Sequence, residues 1–325
     1  MSLAQIDNRP ETKRRVDPAL QFYLEQEGQT ILGFSFLWDA IVHELVVIFG
    51  CTWRDFSTTI IPGTLYTAGA LRALEATPPP ATVVVSLARS MTYFIVFVYS
   101  FTLANQITGV PEDQINKPDC PIVSGRISLP GAYVRWYTAT AAFLLLASRW
   151  GVLRWAATWV GCTIFVTWLH GDKHWLTKNV VFLTVGTITI LGAAWEFGAA
   201  LTPAVRRFNV LLSVMVGIVG NIQDMRDVVG DKMIRRRTLP ILLGPKKFPW
   251  VMAGVTAASP LLCWKLRLIY STHPLAWYYG LLLTAALFYC AYRVLVGDSK
   301  GYHHQTYMVS TYIFCGCAAI PVLLP

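Results

Sequence analysis

The sequence predicts an all-α membrane protein: a polytopic bundle of about nine transmembrane helices around a central cavity, built as two pseudo-repeated halves. Three observations lead there. Hydrophobic residues make up 54% of the 325-residue chain and charged ones only 14%, whereas soluble domains carry about a quarter charged residues; the mean hydropathy is +0.48. Apolar runs of bilayer length recur from residue 57 to residue 324. Lys and Arg fall mostly into alternate loops, which marks one membrane face as basic.

Residues 1–36 are polar, carry Arg9, Lys13, Arg14 and Arg15, and have no apolar core of the signal-peptide kind. They are expected to form a mobile tail ahead of a single transmembrane domain over 37–325. Residues 37–50, LWDAIVHELVVIFG, set Asp39, His43 and Glu44 in a short apolar stretch, which suits a helix lying along the interface. Spans follow at roughly 57–77, 81–105, 131–148, 150–169, 178–201, 206–223, 248–268, 275–296 and 305–324, each near the ~20 residues that cross a bilayer. Seventeen Lys and Arg lie on the N-terminal side of this layout and seven on the other, with Arg89, Arg135 and Arg293 left inside spans. That asymmetry puts the N-terminus and the loops after the second, fourth, sixth and eighth spans in the cytoplasm, and the expected membrane is the endoplasmic reticulum. A net charge of +9 gathered on one face attracts anionic lipid. Membrane lipid is therefore an expected partner and nucleic acid is not, because no recognisable binding module accompanies the charge. Seven cysteines lie scattered, mostly in apolar runs, without zinc-site spacing or the density of a disulfide framework.

Two polar stretches break the apolar pattern: NQITGVPEDQINKPDCPI, residues 105–122, and GNIQDMRDVVGDKMIRRRTLPILLG, residues 220–244. Asp224, Asp227 and Asp231, three and four apart, form one stripe if the segment is a helix. Like charges there repel one another and oppose the macrodipole of a helix C-terminus, so they call for a cation, either Arg235, Arg236 and Arg237 or a metal ion. Asn105, Gly109 and Asp113 also fall on one helical face, although Pro111 must kink or end that helix. Both stretches emerge on the same predicted side, place acids before Lys or Arg, and reach a Pro-Ile pair four spans apart. This hints at an internal duplication that brings the clusters face to face across a cavity. Carboxylate and amide oxygens beside Lys and Arg are what Mg2+ bridging a diphosphate requires. A charged head above an apolar groove describes an isoprenyl diphosphate.

Asn105 and Asp113 with NKPDCPIVSGRI, followed by QDMRDVVGDKMIRRRTLPILLG, resemble the two Asp-rich signatures of the UbiA superfamily of intramembrane prenyltransferases. The second match is close; the first is partial. The form of the first motif is similar to that of fungal UbiA-type membrane terpene cyclases of the bergamotene synthase kind. The resemblance covers about residues 55–324 and implies that Asn105 and Asp113 hold one Mg2+ and Asp227 and Asp231 another, with Asp224 as a further ligand or support. Asp113, Asp227 and Asp231 are the carboxylates on which catalysis is expected to depend. Lys117, Arg126, Lys232 and Arg237 are expected on the diphosphate, together with Lys178 or Lys173 from the loop HGDKHWLTKN, where His170, Asp172 and His174 are candidates for proton transfer. Two departures stand out. Gly109 occupies the place of the motif's middle aspartate, with Glu112 as a displaced substitute, and Cys120 stands where an arginine is common.

The implied reaction is loss of diphosphate from an allylic carbon, assisted by cations that stabilise the departing charge. The resulting carbocation either cyclises on its own double bonds, with farnesyl diphosphate the expected substrate, or is transferred to an aromatic or other small-molecule acceptor. A secondary transporter is a weaker alternative, since the acids cluster at cytoplasmic ends and not at the midplane. Tyr93, Phe97, Trp136, Tyr137, Trp168 and Trp195 are candidate cavity linings through their π faces, although Trp and Tyr also collect at membrane interfaces without any catalytic role. Arg89 and Glu196 inside spans call for a cavity or a partner. Enzymes acting downstream on the product are candidate partners.

Overall fold

The computed structural model describes residues 37–265 and 274–323. The tail expected over 1–36, the Cys263 side chain and Arg267 lie outside the described residues. The chain divides into two compact units, Met1–Val47 and Ile48–Pro325. In the first, residues 37–47 are helical and expose Leu37, Ile41 and Leu45, at four-residue spacing, as an apolar stripe beside Trp38 and Val42.

The second unit begins with helical residues 48–52, which we label α1. A 3-10 turn, Trp53–Asp55, and a π-helical turn, Phe56–Ile60, lead into α2 (Ile61–Arg72). There follow α3 (Pro80–Thr108), α4 (Val110–Asn116), α5 (Leu129–Arg149), α6 (Leu153–Thr167), α7 (Phe182–Glu196) and α8 (Pro203–Val219). The chain continues through α9 (Val228–Met233), α10 (Leu239–Lys265), α11 (Pro274–Val296), α12 (Lys300–Ala318) and the short α13 (Ile320–Leu323). No strand occurs among the described residues; a lone parallel bridge joins His174 to Arg237. The sequence writes many of these starts. Pro occupies the first turn of α2, α3, α4, α5 and α8, where its missing N–H is not needed. The hydroxyls of Ser128, Thr202 and Ser299 cap α5, α8 and α12 by accepting from backbone N–H groups in the first turn. Within α10, Gly244 at φ 73° breaks the helix and Pro245 restarts it, a residue pair suited to that turn.

Among the described residues four helical stretches are long and apolar enough to cross a membrane: Pro80–Thr108, Leu176–Glu196, Pro203–Met225 and Pro274–Val296. They coincide with the second, fifth, sixth and eighth expected spans. The central core gathers α2, α3, α5, α6, α7 and α8 around Tyr66, Tyr93, Phe94, Phe97, Phe143 and Leu191. Small residues let aromatic rings press in. A Cβ on Gly192 would come within 2.5 Å of the Trp155 ring and one on Gly63 within 2.4 Å of Phe94, the close approach that holds membrane helices together where burial of apolar surface gives little drive.

Several polar groups inside this core are paired across helices, although the Tyr93 hydroxyl is buried without a hydrogen-bond partner. Tyr66 Oη donates to Asn209 Oδ1 at 2.6 Å, linking α2 to α8, and Thr67 Oγ1 stands 2.9 Å from both Ser90 Oγ and the Ala194 carbonyl. Glu196 is held by Arg154 and by Trp155 Nε1, which donates at 2.7 Å; its partner is thus on α6, whereas Arg89 is exposed. Tyr66→Phe removes a donor and leaves Asn209 Oδ1 unpaired, so it should lower stability by about 1–3 kcal/mol. Thermal unfolding in detergent checks this; an unchanged midpoint would show that the bond contributes nothing.

Candidate active site

The two Asp-rich stretches meet at one end of the bundle. α3 stops at Thr108, and Gly109 bridges to α4 while keeping helical bonding: its N–H donates to the Asn105 carbonyl at 2.8 Å, and its own carbonyl accepts from Asp113 N at 2.9 Å. The break therefore falls at Gly109, with Pro111 in the first turn of α4. The second stretch is not one regular helix. Asp224 lies in a 3-10 turn, Gly220–Met225, Asp227 precedes α9, and Asp231 lies within α9. The expected single stripe is thereby split, and Asp224 and Asp231 are fully buried while Asp227 faces the cavity. α4 rests on α9 at Gly230, where a Cβ would stand 2.4 Å from Asn116 Nδ2. Glycine lets the two segments touch.

Arg236 ties them together. Arg235 takes a left-handed conformation, φ 58°, and two residues on, the backbone is pinned to the loop: Arg237 N donates to the Lys173 carbonyl at 2.8 Å and Trp175 N to the Arg237 carbonyl at 3.0 Å. This turns Arg236 inward, 8% exposed, and leaves Arg235 and Arg237 outside. The Arg236 guanidinium bonds to Glu112 through Nη1, reaches Asp231 Oδ1 at 3.0 Å and donates from Nε to Asp172 Oδ2 at 2.7 Å. A second cation, Lys178, sits on a π-helical turn, Leu176–Val181, and lies 2.8 Å from Asp224 and 3.4 Å from Asp231. Beside it Asn179 Nδ2 donates to Asp224 Oδ2 at 2.6 Å, and Gln223 Nε2 donates to Asn179 Oδ1 at 2.9 Å. On the far side of the motif Lys117 approaches Asp113 at 3.5 Å and Arg226 approaches Asp227 at 3.3 Å. Arg226 also contacts His304 Nδ1 at 2.8 Å and lies over the Tyr307 ring at 4.3 Å.

The adjacent acids of α4 titrate in opposite directions. Burial pushes both up, but Arg236, Lys117 and Lys178 hold the Glu112 carboxyl below the usual carboxylate range. Burial wins at Asp113, despite Lys117, and raises it; burial likewise outweighs Lys178 and Arg236 at Asp231. Asp113 Oδ2 is buried without a hydrogen-bond partner. Among the described residues no three Asp, Glu, His or Cys side chains stand together as a ready ligand set, because Lys and Arg occupy the carboxylates. The donors are nevertheless hard oxygens: Asn105, Glu112, Asp113, Asp224, Asp227 and Asp231. They fit Mg2+, and Asp113 Oδ2, like Asp172 Oδ1, is a buried oxygen left without a hydrogen-bond donor.

A cavity of about 780 Å³ opens beneath these groups. Asn105, Glu112, Lys117, Asp172, Lys178, Arg226, Asp227 and Arg236 line it, and below them the wall is aromatic. Phe97 stacks on Trp159 at 4.2 Å, Trp159 on Phe182 at 5.1 Å, and Phe101 contacts both. Of the aromatic residues expected here, Phe97 is on the wall. Tyr93 and Trp195 pack in the core, Trp136 and Trp168 pair with each other at 4.5 Å, and Tyr137 is 62% exposed; none of these five lines the cavity. The faces of α5 and the end of α6 turn away from it. Among the expected phosphate ligands Lys117 and Lys178 line it, whereas Arg126, Lys173, Lys232 and Arg237 are exposed and do not. Lys173 Nζ instead donates to the Ile234 carbonyl at 3.3 Å. Within the same loop His170 is exposed, and His174 Nδ1 accepts from Leu176 N at 3.3 Å.

Sequence reasoning named Arg236 only together with Arg235 and Arg237 as counter-charge to the Asp stripe, and missed Arg226, His304 and Asn179 as site residues. Arg226 lies inside the quoted second motif and was within reach; His304, from α12, carries no local signal. Arg236→Ala strips Glu112, Asp231 and Asp172 of their shared cation and should cost about 3 kcal/mol of stability, whereas Arg237→Ala should stay within about 0.5 kcal/mol. Thermal unfolding of both variants in detergent checks the contrast, and equal losses would contradict it.

The chain matches the model of the UbiA prenyltransferase family over residues 61–314. It is 40% identical to the diterpene cyclase eriG of Hericium erinaceus, over 85% of this chain and 87% of that one. It is 34% identical to the polyprenyl transferase eriF of the same organism, over 85% and 93%. A solved UbiA homolog from Archaeoglobus fulgidus, bound to GPP and Mg2+, shares the fold at a TM-score of 0.58 and 12% identity, covering 85% of this chain and all of that one. The chain belongs to the UbiA prenyltransferase family and is an enzyme of its prenyltransferase or terpene-cyclase kind.

Proposed function

We propose that the protein ionises an isoprenyl diphosphate with the help of Mg2+ and cyclises the resulting carbocation to a terpene, releasing diphosphate. The observation that carries this reading is the layered chamber: four cations and the acids they pair with at the mouth, and the Phe97, Phe101, Trp159 and Phe182 rings below. Lys117, Lys178, Arg226 and Arg236 bind the diphosphate oxygens, the arginines by bidentate contact and the lysines as point charges. Asn105, Glu112 and Asp113 would hold one Mg2+, and Asp224, Asp227 and Asp231 another. Mg2+, when bound, supplies positive charge against the leaving group. The allylic C–O bond breaks and its electron pair departs with the diphosphate. The aromatic wall folds the chain, keeps water away and stabilises the cation by about 0.5–2 kcal/mol per ring face.

Similarity to a diterpene cyclase favours geranylgeranyl diphosphate over the farnesyl diphosphate that the sequence led us to expect. Transfer to a small-molecule acceptor is the second reading, favoured by similarity to a polyprenyl transferase. We further propose nine spans in two pseudo-repeated halves within the endoplasmic reticulum membrane, with the chamber mouth facing the cytoplasm, against anionic lipid and within reach of enzymes that use the product. The placement of both Asp-rich stretches at one end supports this.

Membranes containing the protein should form a cyclic olefin from geranylgeranyl diphosphate and Mg2+ with no acceptor added, read by mass spectrometry; chelation by EDTA should stop it and added Mg2+ restore it. Olefin formation only from farnesyl diphosphate would correct the chain length. Diphosphate release only when a phenolic acceptor is present would favour the second reading. Asp227→Ala and Asp231→Ala should each lower turnover by about 100-fold or more while the protein stays in the membrane, and wild-type rates in either would remove that residue from the site.

A further inference from the structure

Asp55 stands apart from the other carboxylates of the chamber. Glu112 and Asp172 are bound to Arg236, and Asp227 to Arg226. Asp55 also lines the cavity, yet among the described residues its carboxylate makes no ion pair; its side-chain contact is the Thr58 hydroxyl at 3.5 Å. It belongs to neither Asp-rich stretch. It sits where the 3-10 turn Trp53–Asp55 gives way to the π-helical turn Phe56–Ile60, an irregularity often found at functional positions. Phe56, next in sequence, packs against the aromatic core, while Lys117 and Arg226 act on Asp55 from the mouth. Asp55 is thus at the junction between the charged mouth and the aromatic chamber.

Cyclisation leaves a carbocation that must lose a proton, and the aromatic wall cannot accept one. A carboxylate locked to a guanidinium is a poor acceptor, because protonation forfeits a charge-assisted bond. An unpaired carboxylate in a water-poor cavity is a better one. Burial raises the Asp55 carboxyl above its ordinary range, opposed by Lys117, Arg226 and Arg54; the surroundings thus strengthen it as a base while nearby cations favour its ionised form.

We propose that Asp55 is the base that ends the reaction: the C–H bond beside the final cation breaks, its electron pair closes the new double bond, and the proton passes to the Asp55 carboxylate. This assignment rests on the cyclisation reading above. The test compares the unaltered protein with Asp55→Asn, Asp55→Ser and Asp55→Glu on geranylgeranyl diphosphate and Mg2+, measuring olefin formed per diphosphate released, after gel filtration in detergent has shown which variants are folded. With the carboxylate removed, that ratio should fall at least tenfold as water-quenched alcohols or isomeric olefins replace the native product, and Asp55→Glu should recover much of it. A ratio equal to that of the unaltered protein in a folded Asn or Ser variant, whatever its rate, overturns the assignment and leaves the released diphosphate as the acceptor. Absence of olefin from the unaltered protein with both geranylgeranyl and farnesyl diphosphate overturns the cyclisation reading and this assignment with it.

Discussion

One guanidinium holds the site in register. Arg236 is bound by Glu112 from the first Asp-rich stretch, Asp231 from the second and Asp172 from the loop between α6 and α7. Three segments separated by some sixty residues each are thereby fixed to a single planar group. A buried pair of this kind is weak evidence for net stability, since removing charges from water costs several kcal/mol per ion. Its value lies in geometry. The planar guanidinium holds one oxygen of each carboxylate, Asp172 Oδ2 through both Nε and Nη2, and so fixes where the three acids stand. The left-handed turn at Arg235 and the bridge between His174 and Arg237 are the backbone means by which the guanidinium is presented.

Behind this group the acids form two layers. Glu112 and Asp227 face the cavity, whereas Asp113, Asp224 and Asp231 are at most 1% exposed. The inner layer is held by Lys178 and Asn179 and backed by Gln223, so Asp224 is saturated with donors and cannot easily turn. Asp113 is held loosely, through one oxygen by Lys117, and keeps the other unpaired. An unpaired buried polar atom costs about 1–3 kcal/mol. Asp172 shares the feature, since its Oδ1 is also buried without a hydrogen-bond partner while Oδ2 is held by Arg236.

The broad plan was legible in the sequence because it depends on local pattern. Apolar runs set the spans, prolines and hydroxyl caps set their starts, and the spacing of Asp224, Asp227 and Asp231 marked the site. What was not legible depends on contacts distant in the chain. In the run Arg235, Arg236, Arg237 the three residues are chemically identical, and only a long-range backbone bridge selects the middle one. Of the aromatic wall Phe97 was named but Phe101, Trp159 and Phe182 were not, for a related reason: α7 is apolar all round, so periodicity does not say which face meets the chamber, and Phe182 could not be told from a packing residue. Trp136 and Tyr137 carried the right chemistry on a helix whose aromatic face is turned elsewhere. Glu196 was recognised as needing a partner, but Arg154, across the α6–α7 contact, supplies it.

Gly109 shows how charge balance and backbone geometry constrain each other. A side chain there would begin 2.7 Å from the Asn105 carbonyl oxygen, too close without a shift of the helix end, and 3.9 Å from Asp113 Oδ2. An aspartate at this place would also set a third carboxylate beside Glu112 and Asp113 on the short α4 turn, where like charges already compete for Lys117 and Arg236. Glycine avoids both the contact and the repulsion, and Glu112, one turn further on, reaches Arg236 instead. The mouth then joins six carboxylates, Glu112, Asp113, Asp172, Asp224, Asp227 and Asp231, to four cations, Lys117, Lys178, Arg226 and Arg236. Counting Asp55, Arg54 and Lys300, which line the same cavity, seven carboxylates stand against six cations, close to balance.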